Sequence, residues 1–213
     1  MEKQLVRTDE LIKRIGPVIH YVEDLDASEK PQRYDEMVET EMSPQQIRAY
    51  KMSMRGVDPA VARKIAMGQS VSQEEAAGIF TKLLWARQVS NSMSRADPTM
   101  SLAQAVWQTP KLKRVVDDAT RHLDADPRAQ VIMYTNLVNG GVDVLDAALT
   151  ERGVSHGLFV GQGRLGTNEE TRQAAVKRFQ AGKDRVIVLS GAGAEGLDFP
   201  NTTLVQVVDG HYN

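Results

Sequence analysis

The chain has 213 residues, a length that allows one large domain or one domain with an appendage. Its 41% hydrophobic and 25% charged residues exclude disorder throughout the chain, and the lack of cysteine excludes a disulfide scaffold, a zinc ribbon and a thiol nucleophile. The formal net charge of −2 provides no global basic field, so any nucleic-acid binding must come from a local patch.

The first 124 residues carry mainly helical signals. Residues 1–41 are expected to form an acidic connector or arm, and their charged beginning lacks the apolar core of a signal peptide. Residues 42–124 are expected to form a helical segment. Its helices are predicted to begin at Ser43-Pro44, at the Ser72/Glu75 capping box and at Thr109-Pro110.

The pattern changes near residue 124, because short apolar runs now alternate with helical ones. Four runs have strand length: Val131–Tyr134, Leu158–Val160, Val186–Leu189 and Leu204–Val208. Strands without polar alternation are buried on both faces, as in a parallel sheet covered by helices. The order strand, helix, strand, helix, strand therefore predicts an α/β fold. Thr167 and Glu170 predict a capping box for the helix before the third strand.

Two loops, residues 161–166 and 191–196, match the spacing G-x-G-x-x-G. A dinucleotide site is disfavoured, because Glu169 and Glu170 in the following first helical turn would repel a pyrophosphate. A P-loop is excluded, because Thr167 stands where that loop needs lysine. The four histidines are scattered, so no metal site is expected.

The same segments resemble the motifs of superfamily 2 helicases of the Swi/Snf type. Residues 186–200 (VIVLSGAGAEGLDFP) resemble motif V, and residues 131–136 (VIMYTN) resemble motif IV. Residues 207–213 resemble the run that leads into motif VI. The residues between motifs IV and V follow the family's G…R…F pattern at Gly161, Arg172 and Phe179.

The helical half also resembles the family, at residues 42–50 and 83–88 and at Lys111-Leu112, so the ordered match covers about residues 40–213. The resemblance implies a C-terminal RecA-like lobe, a parallel sheet with flanking helices, over residues 125–213. The first lobe, a Walker A lysine and a D-E-x-H box have no counterpart in this sequence. Motif VI is expected just beyond Asn213, so the lobe is expected to be incomplete.

The resemblance implies one lobe of an ATP-dependent translocase or remodeller of double-stranded DNA. The first RecA-like lobe, in the same parent chain or on a partner, and ATP with Mg²⁺ are then needed for activity. The chain alone is expected to hydrolyse no ATP, to have no membrane partner and to be intracellular, and cytoplasmic if bacterial or phage-encoded. The alternative is a non-enzymatic nucleic-acid-binding or interaction module with a degenerate lobe.

The resemblance also implies roles for individual residues, none of them catalytic in this chain. The implied nucleic-acid contacts are Thr135, Asn136, Gly161, Arg164, Ser190, Gly191 and Ala192. The implied ATP contacts are Gly196 and Asp198, whose carboxylate would accept from the ribose. Structural alternatives remain open: the Thr135-Asn136 turn could cap the following helix, Asp198 could form an Asx turn, and Arg172 could pair with Glu169.

Overall fold

The computed structural model describes residues 33–191 and 196–209. The chain divides into two compact units, Met1–Glu39 and Thr40–Asn213. In the first unit, residues 33–39 are exposed and form no regular helix or strand. All helices and strands of the described residues lie in the second unit. The predicted division of that unit into a helical segment and a separate lobe beginning at residue 125 stays a prediction.

The N-terminal part of the second unit is helical. Its helices are α1 Pro44–Ser53, α2 Pro59–Ala66, α3 Gln73–Asn91, α4 Leu102–Gln108 and α5 Pro110–Ala125, with a 3₁₀ turn at Met93–Arg95. The α/β part then follows, with β1 Val131–Tyr134, a π-type turn Val138–Val142, α6 Asp143–Glu151, β2 His156–Phe159, α7 Glu169–Gln180, β3 Val186–Leu189 and β4 Leu204–Val207.

Two of the predicted helix starts are formed by side-chain caps. The Ser43 hydroxyl accepts from the Gln46 amide, and Ser72 and Glu75 form the predicted capping box of α3. The prediction for α7 is wrong by one residue, since Asn168 and Thr171 form its capping box. Thr167 is unavailable because its buried hydroxyl donates to the carbonyls of Gly161 and Arg164.

The four strands form one parallel sheet in the order β2-β3-β1-β4. One face packs against α4, α5 and α6, around buried residues such as Val131, Met133 and Leu145. The other face packs against α7, where Phe179 is fully buried against Ile187 and Leu189. The predicted three-layer α/β fold is therefore confirmed.

The strands differ in how far they are covered. All four residues of β3 are buried, as the unbroken apolar run predicts. The same prediction is wrong for β4, where Val205 and Val207 are 57% and 65% exposed. β4 is an edge strand, and within the described ranges no helix packs on this part of the α7 face. The described helices also include none long and apolar enough to cross a membrane.

Replacing Phe179 with alanine tests the hydrophobic packing between α7 and the sheet. The substitution leaves a cavity between α7 and the sheet, where Phe199 packs edge-on at 5.1 Å between ring centroids. We expect the free energy of unfolding to fall by about 3–5 kcal/mol in urea titrations. Phe80→Ala, at a site that is 66% exposed, is the matched control and should change stability by no more than about 0.5 kcal/mol. Equal losses in the two variants would contradict this packing.

The surroundings of His156, at the start of β2, predict that the free energy of unfolding depends on pH. Burial alone would lower its pKa, but its ring nitrogens lie 2.8 Å from the Asp146 carboxylate and 2.7 Å from the Val154 carbonyl, and together these partners raise the pKa above 6.5. The stabilisation of the folded state by protonated His156 and its partners is fully present below the unfolded-state pKa of this histidine. It is lost as the pH rises through the folded-state pKa. Urea titrations from pH 6 to pH 8.5 should show stability falling with pH, and Asp146→Asn should flatten this dependence. A slope unaffected by that substitution would contradict the pairing.

Candidate nucleic-acid interface

Parallel pairing brings the carboxyl ends of all four strands to one edge of the sheet. Leu189 at the end of β3 is in register with Tyr134 of β1 and Phe159 of β2, and Tyr134 is in register with Val207 of β4. The residues that follow these strand ends therefore leave the sheet together. They include six of the seven predicted nucleic-acid contacts: Thr135, Asn136, Gly161, Arg164, Ser190 and Gly191. The seventh, Ala192, lies outside the described residues.

The turn after β1 is directed inward, towards Asp209. Thr135 is fully buried and its hydroxyl donates to Asp209 Oδ2. The Asn136 backbone N–H donates to Asp209 Oδ1 at 2.9 Å, and the Asn136 side-chain amide donates to the same oxygen at 3.1 Å. The Tyr134 hydroxyl donates to Asn136 Oδ1 at 2.9 Å. The side-chain polar groups of Thr135 and Asn136 are thus engaged within the protein, and their predicted phosphate contact stays a prediction.

The helix after this turn, α6, has Val142 as its N-cap residue and no side-chain cap, so the capping role considered for Thr135 and Asn136 is wrong. Asp143, its first residue, accepts through Oδ1 from the backbone N–H groups of Gly140 at 2.7 Å and Val144 at 2.8 Å. Burial raises the pKa of Asp143, although these hydrogen bonds oppose the rise. Gly141 has no room for a side chain, because a Cβ there would lie 2.7 Å from the Thr135 hydroxyl oxygen.

Asp209 also joins the strand ends to the helical part of the chain. Arg87 of α3 donates from Nη2 to Asp209 Oδ1 at 2.9 Å. Nearby, Lys111 Nζ donates to Asn91 Oδ1 at 2.8 Å, and Asn91 Nδ2 donates to the Gly140 carbonyl at 3.0 Å. Burial lowers the pKa of Lys111, while Asp209 opposes this shift and Arg87 adds to it. Two cations and one carboxylate therefore share this site.

The sequence motifs predict no role for Arg87, Lys111 or Asp209, although all three residues lie in segments that carry the helicase resemblance. The available signal was the position of Asp209, an acidic residue directly after a strand at the edge where ligands bind in α/β folds. Its partners could not be identified in the same way, because Arg87 lies 122 residues away in the sequence.

The loop after β2 is exposed and tightly folded. The Gly163 N–H donates to the Thr167 carbonyl at 2.8 Å, and Gly163 and Gly166 have φ values of 76° and 72°. Arg164 is exposed in this loop. Arg172 on α7 pairs with Glu169, as the surface-pair interpretation predicts, and its guanidinium carbon lies 5.2 Å from the centroid of the Phe159 ring. The loop therefore displays one cation, Arg164, beside the strand ends.

The loop between β3 and β4 contains both predicted ATP contacts, Gly196 and Asp198. Ser190 is buried and Gly191 is exposed. Gly196 and Asp198 are both exposed, and Asp198 lies on the α7 side of the sheet, where its carbonyl accepts from Gln180 Nε2 at 2.8 Å. In the described parts of the chain no hydrogen bond reaches the Asp198 carboxylate, so the Asx turn considered for it is not formed there.

A metal site is not apparent in the part of the chain that the structure describes. Over residues 33–191 and 196–209, no three histidine or acidic side chains are arranged so that they could hold a metal ion.

The C-terminal half of the chain matches a known domain family. Residues 112–213 match the family model described as "Helicase conserved C-terminal domain". This stretch contains β1–β4, α6, α7 and all the strand-end turns described above. Over residues 112–213 the chain is therefore similar to a helicase conserved C-terminal domain.

Curated relatives are similar to slightly less than half of the chain. The chain is 26% identical over 101 residues to a "Putative ATP-dependent RNA helicase L538" of Acanthamoeba polyphaga mimivirus, covering 46% of this chain and 21% of that protein. It is 31% identical over 109 residues to the "DEAD-box ATP-dependent RNA helicase FANCM" of Arabidopsis thaliana, covering 47% of this chain and 8% of that protein. The chain thus spans about a fifth or less of the length of the curated relatives it matches.

Solved structures share the fold over a larger part of the chain. The Sulfolobus solfataricus SWI2/SNF2 ATPase C-terminal domain superposes with a TM-score of 0.61 at 18% identity, covering 79% of this chain and 68% of that one. The C-terminal part of the Fun30 ATPase domain superposes with a TM-score of 0.57 at 13% identity, covering 81% and 74%. Both matches confirm the predicted RecA-like fold with helices N-terminal to the sheet.

Substituting Gly141 tests the close packing of the turn after β1. Gly141→Ala forces the Thr135 hydroxyl or the Leu137 Cβ, which would lie 3.0 Å away, to move. We expect a loss of about 1–3 kcal/mol in the free energy of unfolding, measured by urea titration. The matched control is Gly78→Ala in α3, where a Cβ meets nothing within 4 Å, and it should raise stability by about 0.5–1 kcal/mol. A neutral Gly141→Ala would contradict the described turn.

Proposed function

We propose that this chain is the second motor lobe of an ATP-dependent DNA helicase, translocase or remodeller. In this role it contributes nucleic-acid contacts and part of an ATP site, and it does not hydrolyse ATP alone. The observation that carries the proposal is the match of residues 112–213 to the helicase C-terminal domain, which coincides with the parallel sheet and its strand-end turns.

The nucleic-acid track proposed for this lobe is the carboxyl edge of the sheet. Asn136, Gly161 and Gly191 reach the surface there to different degrees, and Arg164 adds an exposed positive charge. Backbone amides, hydroxyls and single arginines bind phosphates without a large basic surface. A formal net charge of −2 is therefore compatible with binding one strand.

The proposed part of the ATP site is limited to Gly196 and Asp198. The Asp198 carboxylate is exposed and accepts no hydrogen bond from the described residues, so it fits the role of acceptor for a ribose hydroxyl. We assign no Mg²⁺ ligand to this chain, because no suitable group of side chains occurs in the described ranges. The phosphate cradle would come from a first RecA-like lobe, which would supply the lysine that contacts the phosphates.

The choice of DNA follows from the order of the motifs, which resembles that of Swi/Snf-type enzymes. The names of the three matched curated relatives, all ATP-dependent RNA helicases, favour RNA instead. Comparing the two polymers directly therefore forms part of the experiment.

Binding to labelled 30-base-pair DNA and RNA duplexes, followed by fluorescence anisotropy at several salt concentrations, tests the proposal. We expect the 213-residue chain to bind DNA more tightly than RNA. Arg164→Ala should weaken binding about three- to tenfold and reduce the salt slope by about one, because one phosphate contact is lost. Arg121→Ala is the matched control, since Arg121 is exposed on α5 and pairs with Asp118.

Three outcomes would contradict the proposal. Tighter binding to RNA would overturn the choice of DNA. Equal effects of Arg164→Ala and Arg121→Ala would remove the sheet edge as the track. ATP hydrolysis by the isolated chain, stimulated by DNA above background, would overturn the proposed division of labour between two lobes.

A further inference from the structure

We propose that Asp209 and Arg87 are positioning residues for the nucleic-acid track, with Arg87 of α3 holding the carboxylate that sets the turn after β1. The inference rests on the proposed function, because it takes the carboxyl edge of the sheet as the binding surface. Neither residue is proposed to touch the nucleic acid.

The Asp209 carboxylate accepts four hydrogen bonds from within the protein. Its two oxygens accept from Arg87 Nη2, from the Thr135 hydroxyl, and from the backbone and side-chain N–H groups of Asn136. Three of these four donors share Oδ1, and Oδ2 accepts only from the buried Thr135 hydroxyl. The Asp209 side chain is also only 6% exposed. Its function must therefore be exerted through the residues that it holds.

Arg87 is the cation that donates directly to this buried carboxylate, and Lys111 adds positive charge nearby. A buried carboxylate is stable only when it is paired and hydrogen-bonded, and the two neutral partners of Asp209 provide no positive charge. The Arg87 side chain is 16% exposed and donates directly to Oδ1. Arginine thus fixes the orientation of the acceptor that orders the Asn136 backbone.

The same end of α3 also holds the far side of the turn. Asn91 lies one helical turn after Arg87, so the two side chains point in the same direction. Asn91 donates to the Gly140 carbonyl at 3.0 Å, and Lys111 orients Asn91 by donating to its side-chain oxygen at 2.8 Å. α3 therefore contacts both ends of the turn after β1. At the start of the turn the contact runs from Arg87 through Asp209, and at the end Asn91 donates directly to the Gly140 carbonyl.

These contacts connect α3 of the helical segment to the turn after β1, which forms part of the proposed nucleic-acid track. Asp209 follows β4 and the Thr135-Asn136 turn follows β1, and these two strands are neighbours in the sheet. Removing the positive charge of Arg87 should allow Asp209 to rotate or to take up solvent, and the turn would then lose its defined position. We expect reduced nucleic-acid affinity without any direct contact being removed.

The test uses the full 213-residue chain and the variants Arg87→Gln, Arg87→Lys and Asp209→Asn. The backbone amide signal of Asn136 in ¹H–¹⁵N spectra reports the hydrogen bond to Asp209 directly. We expect Arg87→Gln and Asp209→Asn to shift this signal and to weaken binding of the 30-base-pair DNA roughly three- to tenfold. Arg87→Lys keeps the positive charge, so its Asn136 signal and its DNA affinity should lie closer to those of the unmodified chain. Lys82→Gln on the same helix, where Lys82 donates to the Arg55 carbonyl, is the matched control and should change neither.

The outcomes separate this inference from the proposed function. An Asn136 signal that does not move in Asp209→Asn would overturn the inference, as would equal losses of affinity in Arg87→Gln and Lys82→Gln. If the signal moves as expected but the unmodified chain binds no nucleic acid, the positioning role is supported and the proposed function fails. Should Arg87→Gln not fold, Arg87→Lys decides: an Asn136 signal and an affinity closer to those of the unmodified chain than to those of Asp209→Asn support the requirement for charge, and losses as large as those of Asp209→Asn overturn it.

Discussion

A buried carboxylate at the carboxyl end of a parallel sheet dominates the organisation of this protein. Asp209 would be strongly destabilising if it were unpaired, so its environment must supply positive charge and several hydrogen-bond donors. The structure meets this requirement from three directions, with Arg87 from α3, Thr135 from the end of β1, and Asn136 from the turn that follows. Satisfying one group therefore joins the helical part of the chain, the central strand and the edge strand at a single point.

The rest of the fold makes this arrangement possible. The parallel register brings the four strand ends to one edge, and the cores on the two faces hold the sheet rigid on either side. The turn itself depends on small residues, because Gly141 allows the Thr135 hydroxyl to approach the backbone closely. Function and stability thus overlap in the same residues. The turn proposed to contact nucleic acid is also among the most tightly hydrogen-bonded parts of the described chain.

Local patterns predicted much of this structure. Caps at Ser43 and Ser72 marked helix starts, because a side chain and the backbone three residues later suffice to form them. The capping box of α7 was predicted one residue too early, since Thr167 and Asn168 are both good caps and only the loop contacts of Thr167 decide between them. The strand pattern of β4 was misjudged for a related reason, because an apolar run cannot reveal that its strand lies at an edge.

The sequence by itself determined the α/β class, the order of strands and helices and the motif order of a helicase C-terminal lobe, because these depend on periodicity and on residues close together in the chain. The tertiary structure alone decided that Thr135 is buried, that Asp198 lies on the α7 side of the sheet, and that Arg87 meets Asp209. These facts depend on strand order, on which face each helix covers and on side chains 122 residues apart. No short-range pattern encodes such contacts, since only the folded chain brings together residues that lie this far apart in the sequence.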